Sequence, residues 1–176
     1  MKWIFGLLLF PTILNAQLTQ KDSLWLPFQP LIGHWTGEGS GESGNGIYER
    51  SYQFVLGNNF IEVRNKSTYP PKDAQSIGEI HEDVGYISYD KARKTFILRQ
   101  FHKEGFVNEY VLDSMSPDGT TIVFITESIE NIPAGWKARE TYWFRAPDTL
   151  EEVFDLAAPG GEFEMYSTAS LLKTKM

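Results

Sequence analysis

The sequence has no cysteine, and positively charged residues are in the minority. The missing thiols exclude disulfide bonds, thiolate metal ligands and cysteine nucleophiles together. Lys and Arg number 16 against 23 Asp and Glu, which gives a formal charge of −7. Nucleic acids and anionic membrane surfaces are bound by clustered Lys and Arg. The charge therefore argues against both as partners.

Long apolar runs are also missing, because the most apolar stretch, WIFGLLLF near the N-terminus, is too short to span a bilayer. Lys2 precedes this stretch, and the small residue Ala16 follows it just before Gln17. A cationic start, a short apolar middle and a small residue at the end are typical of a secretory signal peptide. We therefore expect export, to the periplasm or outside the cell, without stable membrane insertion.

Common catalytic signatures are not found either, since the chain has no G-x-S-x-G, P-loop or H-E-x-x-H pattern. Its three histidines, His34, His81 and His102, are not spaced as a metal-binding pair, although a zinc site assembled in space stays open. The adjacent Glu151 and Glu152 point to opposite faces of a strand and do not form an acid–base pair. Nothing in the sequence assigns a catalytic reaction.

What the sequence does contain is a series of alternating apolar and polar segments, separated by short turns rich in Gly, Pro, Asn and Asp. The clearest case is the pair 47–56 and 59–69, which meets at Gly57-Asn58 and predicts a hairpin. No helical pattern long enough for parallel crossovers lies between the segments. The sequence thus predicts an all-β fold, a lipocalin-like antiparallel up-and-down β-barrel of about ten strands with a short N-terminal helical turn. A two-sheet sandwich is the alternative.

This pattern divides the chain into three parts. They are a signal peptide (1–16), an N-terminal segment with a short helix (17–30) and a barrel domain (31–173). Up-and-down barrels often leave a lumen for one small ligand. A barrel filled by its own side chains would instead be a structural or interaction module. The oligomeric state does not follow from the sequence.

The stretch LIGHWTGEGSGE places Gly37, Gly39 and Gly41 at every second position. In a strand this spacing puts all three glycines on one face, which then has no side chains of its own. Such a face can let a flat ligand rest against the backbone. It can equally mark a strand that bends sharply to close a barrel.

Three short blocks, GHWTGEGSGE, YERSYQF and HEDVGYI, resemble the nitrobindin family of haem-binding β-barrels. The likeness rests on the G-x-W-x-G-x-G opening at 33–39, on Tyr48-Glu49 and on the segment 81–86. The resemblance implies that the barrel binds haem or a porphyrin in its lumen. A fatty acid or another lipid-type amphiphile is the next candidate, and a haem-dependent isomerase or scavenger is a further one.

The resemblance also implies an iron ligand. The family holds haem iron through a histidine near the C-terminus, in a pattern like H-L-x-A-x-L, and the matching segment here is YSTASL. Tyr166 takes the place of that histidine, which favours ferric haem bound through phenolate over ferrous nitric-oxide chemistry. Tyr166 as an ordinary strand residue is the alternative. His102, at a strand end beside a turn, is the alternative ligand.

Further residues are predicted from the aromatic and charged segments. Arg139 and Trp143 share one face of a strand, where Arg139 either holds a ligand carboxylate in the lumen or forms an external ion pair. Trp35 is expected to plug the closed end of the barrel, with Arg145 or Lys173 over its ring. The predicted ligand contacts are Gly37, Gly39, Tyr48, His81, His102, Tyr110, Arg139 and Trp143.

Overall fold

The computed structural model describes residues 20–71 and 77–174, so the predicted signal peptide lies outside the described residues. The described chain opens with two short helical elements, helix α1 (Gln20–Trp25) and a 3-10 helix (Leu26–Leu31). Pro27 and Pro30 lie in the second element, where their missing N–H groups prevent a longer α-helix. Within the described ranges, no helix is long and apolar enough to cross a membrane.

Ten antiparallel strands follow and close into one barrel. Each strand pairs with its neighbours in the chain, and the first strand pairs with the last, so the described sheet has no free edge. The predicted ten-stranded barrel is therefore confirmed, and the sandwich is ruled out. The strands are β1 (Gly33–Gly41), β2 (Gly44–Val55), β3 (Phe60–Tyr69), β4 (Glu79–Asp90), β5 (Thr95–His102), β6 (Val107–Met115), β7 (Thr121–Glu130), β8 (Lys137–Ala146), β9 (Thr149–Ala157) and β10 (Glu164–Thr174).

The predicted hairpin at Gly57-Asn58 is present between β2 and β3. Leu56, Gly57 and Asn58 all have positive φ, at 50°, 67° and 60°. Gly and Asn adopt this left-handed region more readily than other residues. The turn sets the register in which Tyr52 faces Val63, and both side chains point into the barrel.

The helical segment caps one end of the barrel. Trp25 packs its ring 5.2 Å from that of Phe96, and Phe28 lies 4.6 Å from the same ring. Trp35 donates its indole N–H to the Leu31 carbonyl at 2.7 Å and is buried beneath the cap. Lys173 Nζ lies 5.0 Å above the Trp35 ring, which confirms the predicted plug and its cation.

The middle of the barrel is filled by buried side chains rather than left hollow. Large aromatic rings, including those of Tyr52, Tyr110 and Tyr142, are fully buried there. Charged residues lie among them, with Arg50 and Glu152 each 7% exposed. Space for a ligand is therefore to be sought at the end opposite the helical cap.

Candidate ligand-binding site

A cavity of about 390 Å³ lies at the end of the barrel opposite the helical cap. This volume falls within the usual range for small-molecule sites. Residues from strand ends and from the loops of this open end surround it. One part of its wall is apolar and consists of Phe106, Ile129, Ile132, Trp136, Phe154 and Leu156.

Tyr166 is part of this wall because β10 contains a bulge. The register between β10 and β9 shifts between Met165 and Ser167, which leaves Tyr166 as the extra residue. Its ring packs edge-on against Phe154 at 5.7 Å and is 37% exposed. Its hydroxyl forms no hydrogen bond with another residue of the described ranges. The phenol oxygen is thus available to a ligand in the cavity.

His81 also lines the cavity, but both of its ring nitrogens already have partners. Nδ1 lies 2.7 Å from Glu104 Oε1, and Nε2 lies 3.4 Å from Glu79 Oε2. The ring also meets the edge of Tyr69 at 5.6 Å. These contacts make His81 a poor candidate for an iron ligand.

His102 lies deeper in the cavity and stacks on Phe106, with ring centroids 4.1 Å apart. Asn108 donates its side-chain N–H to His102 Nε2 at 3.3 Å. Nδ1 lies 4.0 Å from Asp83 Oδ2. Burial lowers the pKa of His102 to about 4, so the imidazole is neutral at physiological pH. Its acceptor nitrogen is therefore engaged, and its ring is part of the cavity wall.

Asp83 and Asn108 form the polar floor of the cavity, together with residues directly behind them. Asn65 and Gln100 both donate side-chain N–H groups to Asp83 Oδ1, at 2.9 and 3.4 Å. Burial raises the pKa of Asp83 to about 7, and the neighbouring guanidinium of Arg50 opposes this rise. The Asp83 carboxyl therefore changes its charge near neutral pH.

Below the floor lies a buried ion pair. Arg50 Nη2 donates to Glu152 Oε1 at 2.6 Å, and Nη1 donates to the backbone carbonyls of Glu49 and Lys66 at 3.1 Å. Glu140 is buried nearby, and burial together with the charge of Glu152 raises its pKa well above the usual value. The barrel centre thus holds one guanidinium among several carboxyl groups.

The glycine face of β1 is covered by other parts of the protein. A Cβ at Gly37 would collide with the Ser170 backbone oxygen, and a Cβ at Gly39 would lie 2.6 Å from the Tyr48 ring. The Tyr48 hydroxyl lies 2.8 Å from that of Tyr69, so both rings are held together. The close approach that these glycines permit is therefore made by Tyr48 and by β10.

Arg139 and Trp143 lie on the outer surface of β8. Arg139 donates to Asp155 Oδ2 at 2.9 Å, which is the external ion pair considered from the sequence. Trp143 is 41% exposed and carries the Arg145 guanidinium 3.2 Å above its ring. Among the predicted site residues, the cavity brings together His81, His102 and Tyr166, while Tyr110 is buried beneath Asn108.

Sequence reasoning missed the inward charged residues Arg50, Asp83 and Glu152. Each occupies an inward position of its strand, with Arg50 between the buried Tyr48 and Tyr52. A charged residue at an inward position between buried aromatic residues, as at Arg50, is the sequence signal that could have revealed these buried charges. In the described ranges, no group of three His, Asp or Glu residues is placed to hold a metal ion.

An antiparallel barrel with one capped end and a cavity at the other defines the class of this protein. The chain belongs to the THAP4-like, heme-binding beta-barrel domain family, whose profile matches residues 25–173. The resemblance to nitrobindin-like barrels is thereby confirmed. No curated protein matches the sequence.

A solved structure agrees on the fold. The crystal structure of Rv2717c from M. tuberculosis shares 19% identity and superimposes with a TM-score of 0.65. The match covers 86% of this chain and 98% of that one. A de novo designed fluorescence-activating beta barrel is 14% identical over 81% of this chain and 93% of its own, with a TM-score of 0.37.

Proposed function

We propose that this protein binds haem or a related porphyrin in the cavity at the open end of the barrel. One observation carries the proposal: Tyr166, which the resemblance matches to the family's iron-binding histidine, lies on the cavity wall. Membership of a heme-binding domain family supports the same ligand. Bound iron would supply a Lewis-acidic centre, and a tyrosinate ligand favours its ferric state.

The lining suits the porphyrin ring better than it suits the propionates. Phe106, Trp136 and Phe154 offer apolar and aromatic contact to a flat ring. No Lys or Arg is found among the described residues that line the cavity, whereas Glu82, Asp83 and Glu104 are. Affinity for haem therefore rests on the apolar wall and on Tyr166. The same acidic residues disfavour a fatty acid, because its carboxylate would face negative charge.

Titration of the purified protein with hemin tests this proposal. We expect a Soret band typical of tyrosinate-bound ferric haem, and Tyr166→Phe should abolish that band. Tyr86→Phe is the matched control, because Tyr86 lies on the outer face of β4, where its hydroxyl contacts Glu62 at 3.3 Å. An unchanged spectrum in Tyr166→Phe would exclude Tyr166 as the ligand. The absence of any Soret shift in the wild type would exclude haem binding.

We also propose that the protein is exported after cleavage behind Ala16. The composition of residues 1–16 supports this proposal. Expression of the full chain, cell fractionation and N-terminal sequencing provide the test. The expected product begins at Gln17 and is found outside the cytoplasm, while a cytoplasmic product that keeps residues 1–16 would contradict export.

A further inference from the structure

Several buried polar atoms inside the barrel have no hydrogen-bond partner in the described part of the chain. Buried polar atoms in folded proteins are nearly always paired. Three of the unpaired atoms are amide oxygens, which only accept hydrogen bonds, and a fourth belongs to Glu140, whose raised pKa favours a protonated carboxyl that can also donate. These four are Asn65 Oδ1, Gln100 Oε1, Asn108 Oδ1 and Glu140 Oε2, and the fifth is the Tyr52 hydroxyl.

The orientation of the amides explains this surplus of acceptors. Asn65 and Gln100 direct their N–H groups to Asp83, while Asn108 directs its N–H groups to Tyr110 Oη at 2.8 Å and to His102. The three amide nitrogens thus have partners, and the three amide oxygens do not. Of these three amides only Asn108 lines the cavity, so the floor offers its unpaired amide oxygen beside the Asp83 carboxyl.

The charges around the floor also favour a group that donates hydrogen bonds and carries a positive charge. Arg50 is committed to Glu152, to two backbone carbonyls and to Ser67, so it does not pair with Asp83. Asn108, which is 1% exposed, lies beside Asp83 in the cavity lining. Glu104 adds a further carboxylate to the same lining. A group that enters the cavity therefore meets buried acceptors and negative charge.

We propose that the floor formed by Asp83 and Asn108 is a subsite for the protonated primary amine of an otherwise apolar ligand. An ammonium group has three N–H donors and no acceptor, which matches the groups that the floor offers. Its hydrogen bond to Asp83 would be charge-assisted, and the Asn108 amide oxygen would accept a second bond. The apolar body would lie against the wall formed by Phe106, Ile129 and Trp136.

This subsite goes beyond haem binding, because it defines a second class of ligand for the same cavity. Neither Asp83 nor Asn108 is needed to hold iron at Tyr166. The amine proposal is therefore independent of the haem proposal. The two can be tested separately on protein prepared without haem.

Calorimetric titration with three probes of similar shape tests the subsite. The probes are 2-phenylethylamine, 2-phenylethanol and phenylacetate, added to wild-type protein at pH 8. We expect the amine to bind at least about tenfold more tightly than the alcohol, the size of effect that one charge-assisted hydrogen bond supplies. Phenylacetate should bind weakest. Equal affinity for amine and alcohol would overturn the proposal, because unpaired acceptors filled by water alone would not discriminate.

Two variants then locate the effect. Asp83→Asn should reduce amine affinity about tenfold and leave alcohol affinity unchanged, because it removes only the charge that pairs with ammonium. Glu109→Gln removes the same charge from the outer face of β6, away from the cavity lining, where Glu109 pairs with Arg99, and it should change amine affinity less than about twofold. An equal loss in both variants would show that general electrostatics, and not the floor, attracts the amine.

A measurement on the wild type keeps the proposal testable even if a variant fails to fold. Amide and side-chain NMR signals of Asn108 and Gln100 should shift on titration with 2-phenylethylamine and not with phenylacetate. Shifts confined to the outer surface of the barrel would contradict the subsite. A positive amine result together with no hemin binding would retain this inference and remove the haem proposal.

Discussion

Arg50 and Glu152 form a bidentate ion pair inside the barrel, although two strands separate them in its wall. Arg50 Nε lies 3.0 Å from both carboxylate oxygens of Glu152, and Nη2 lies 2.6 Å from Oε1. β1 and β10 lie between β2 and β9, and their inward positions there include Gly37, Gly39 and Ala169. Small residues thus occupy these inward positions of β1 and β10, the two strands that the Arg50–Glu152 ion pair crosses.

Loss of one partner of this pair should destabilise the fold strongly. Arg50→Met leaves Glu152 as a buried, unpaired carboxylate, and we expect a loss of about 3–5 kcal/mol in the free energy of unfolding. The double variant Arg50→Met, Glu152→Leu removes both charges and should recover much of that loss. Urea unfolding gives the free energy of unfolding of the wild type, the single variant and the double variant. A double variant as unstable as the single one would show that the pair's shape, rather than the unpaired charge, determines the cost.

The titration of Asp83 should make stability depend on pH. In an unfolded chain the pKa of Asp is about 3.9, whereas burial raises that of folded Asp83 to about 7. Between these values the folded protein keeps a proton that the unfolded chain has released. The stability contributed by Asp83 is therefore full below about pH 4 and is lost as the pH rises to 7.

Comparison with Asp83→Asn isolates this effect from other titrating groups. We expect the wild type to lose stability relative to the variant between about pH 4 and pH 7, as measured by urea midpoints across this range. A constant difference between the two proteins would contradict the raised pKa of Asp83.

His102 should titrate far below an ordinary histidine. Burial lowers its pKa to about 4, and the stacking contact with Phe106 keeps the ring in the cavity wall. Its contribution to stability is present above the ordinary pKa of about 6.5 and is lost as the pH falls through about 4. The imidazole NMR signals should show this midpoint in folded protein and a midpoint near about 6.5 in urea. A folded midpoint close to the ordinary value would contradict the burial of His102.

Gly39 should not tolerate a side chain. In Gly39→Ala the new methyl group would collide with the Thr168 backbone oxygen and lie 2.6 Å from the Tyr48 ring, so we expect a loss of about 1–3 kcal/mol in unfolding free energy. Gly161→Ala is the control, because its Cβ would lie no closer than 3.3 Å to a neighbouring atom. Thermal or urea unfolding compares the two variants. Equal stability would mean that both the β10 backbone at Thr168 and the Tyr48 ring move without cost.

The fold could be predicted from the sequence because its signals are local. Alternation within each strand and the Gly57-Asn58 turn reflect neighbours along the chain, and they correctly indicated ten antiparallel strands. The Trp35 plug was predictable for a similar reason, since it follows a short helical segment directly. Its cation required a choice between two residues, and the closing register of β1 with β10 selects Lys173.

The site was harder to predict because its contacts are not local. Alternation separates Arg139 from Glu140 but does not say which face lies inside, and the structure places Glu140 inward. The partners Arg50 and Glu152 are 102 positions apart, so only the closed register reveals their contact. The β10 bulge at Tyr166 interrupts alternation and has no clear sequence signal.

The side chains that fill the middle of the barrel also determine how a guest comes and goes. A molecule in the open-end cavity cannot sink towards the helical cap, so it stays near bulk water throughout its residence. It can be taken up and released through one opening while every strand remains paired with its neighbours. Exchange of a bound ligand would therefore depend on the contacts at that opening and would not require any strand of the wall to unpair.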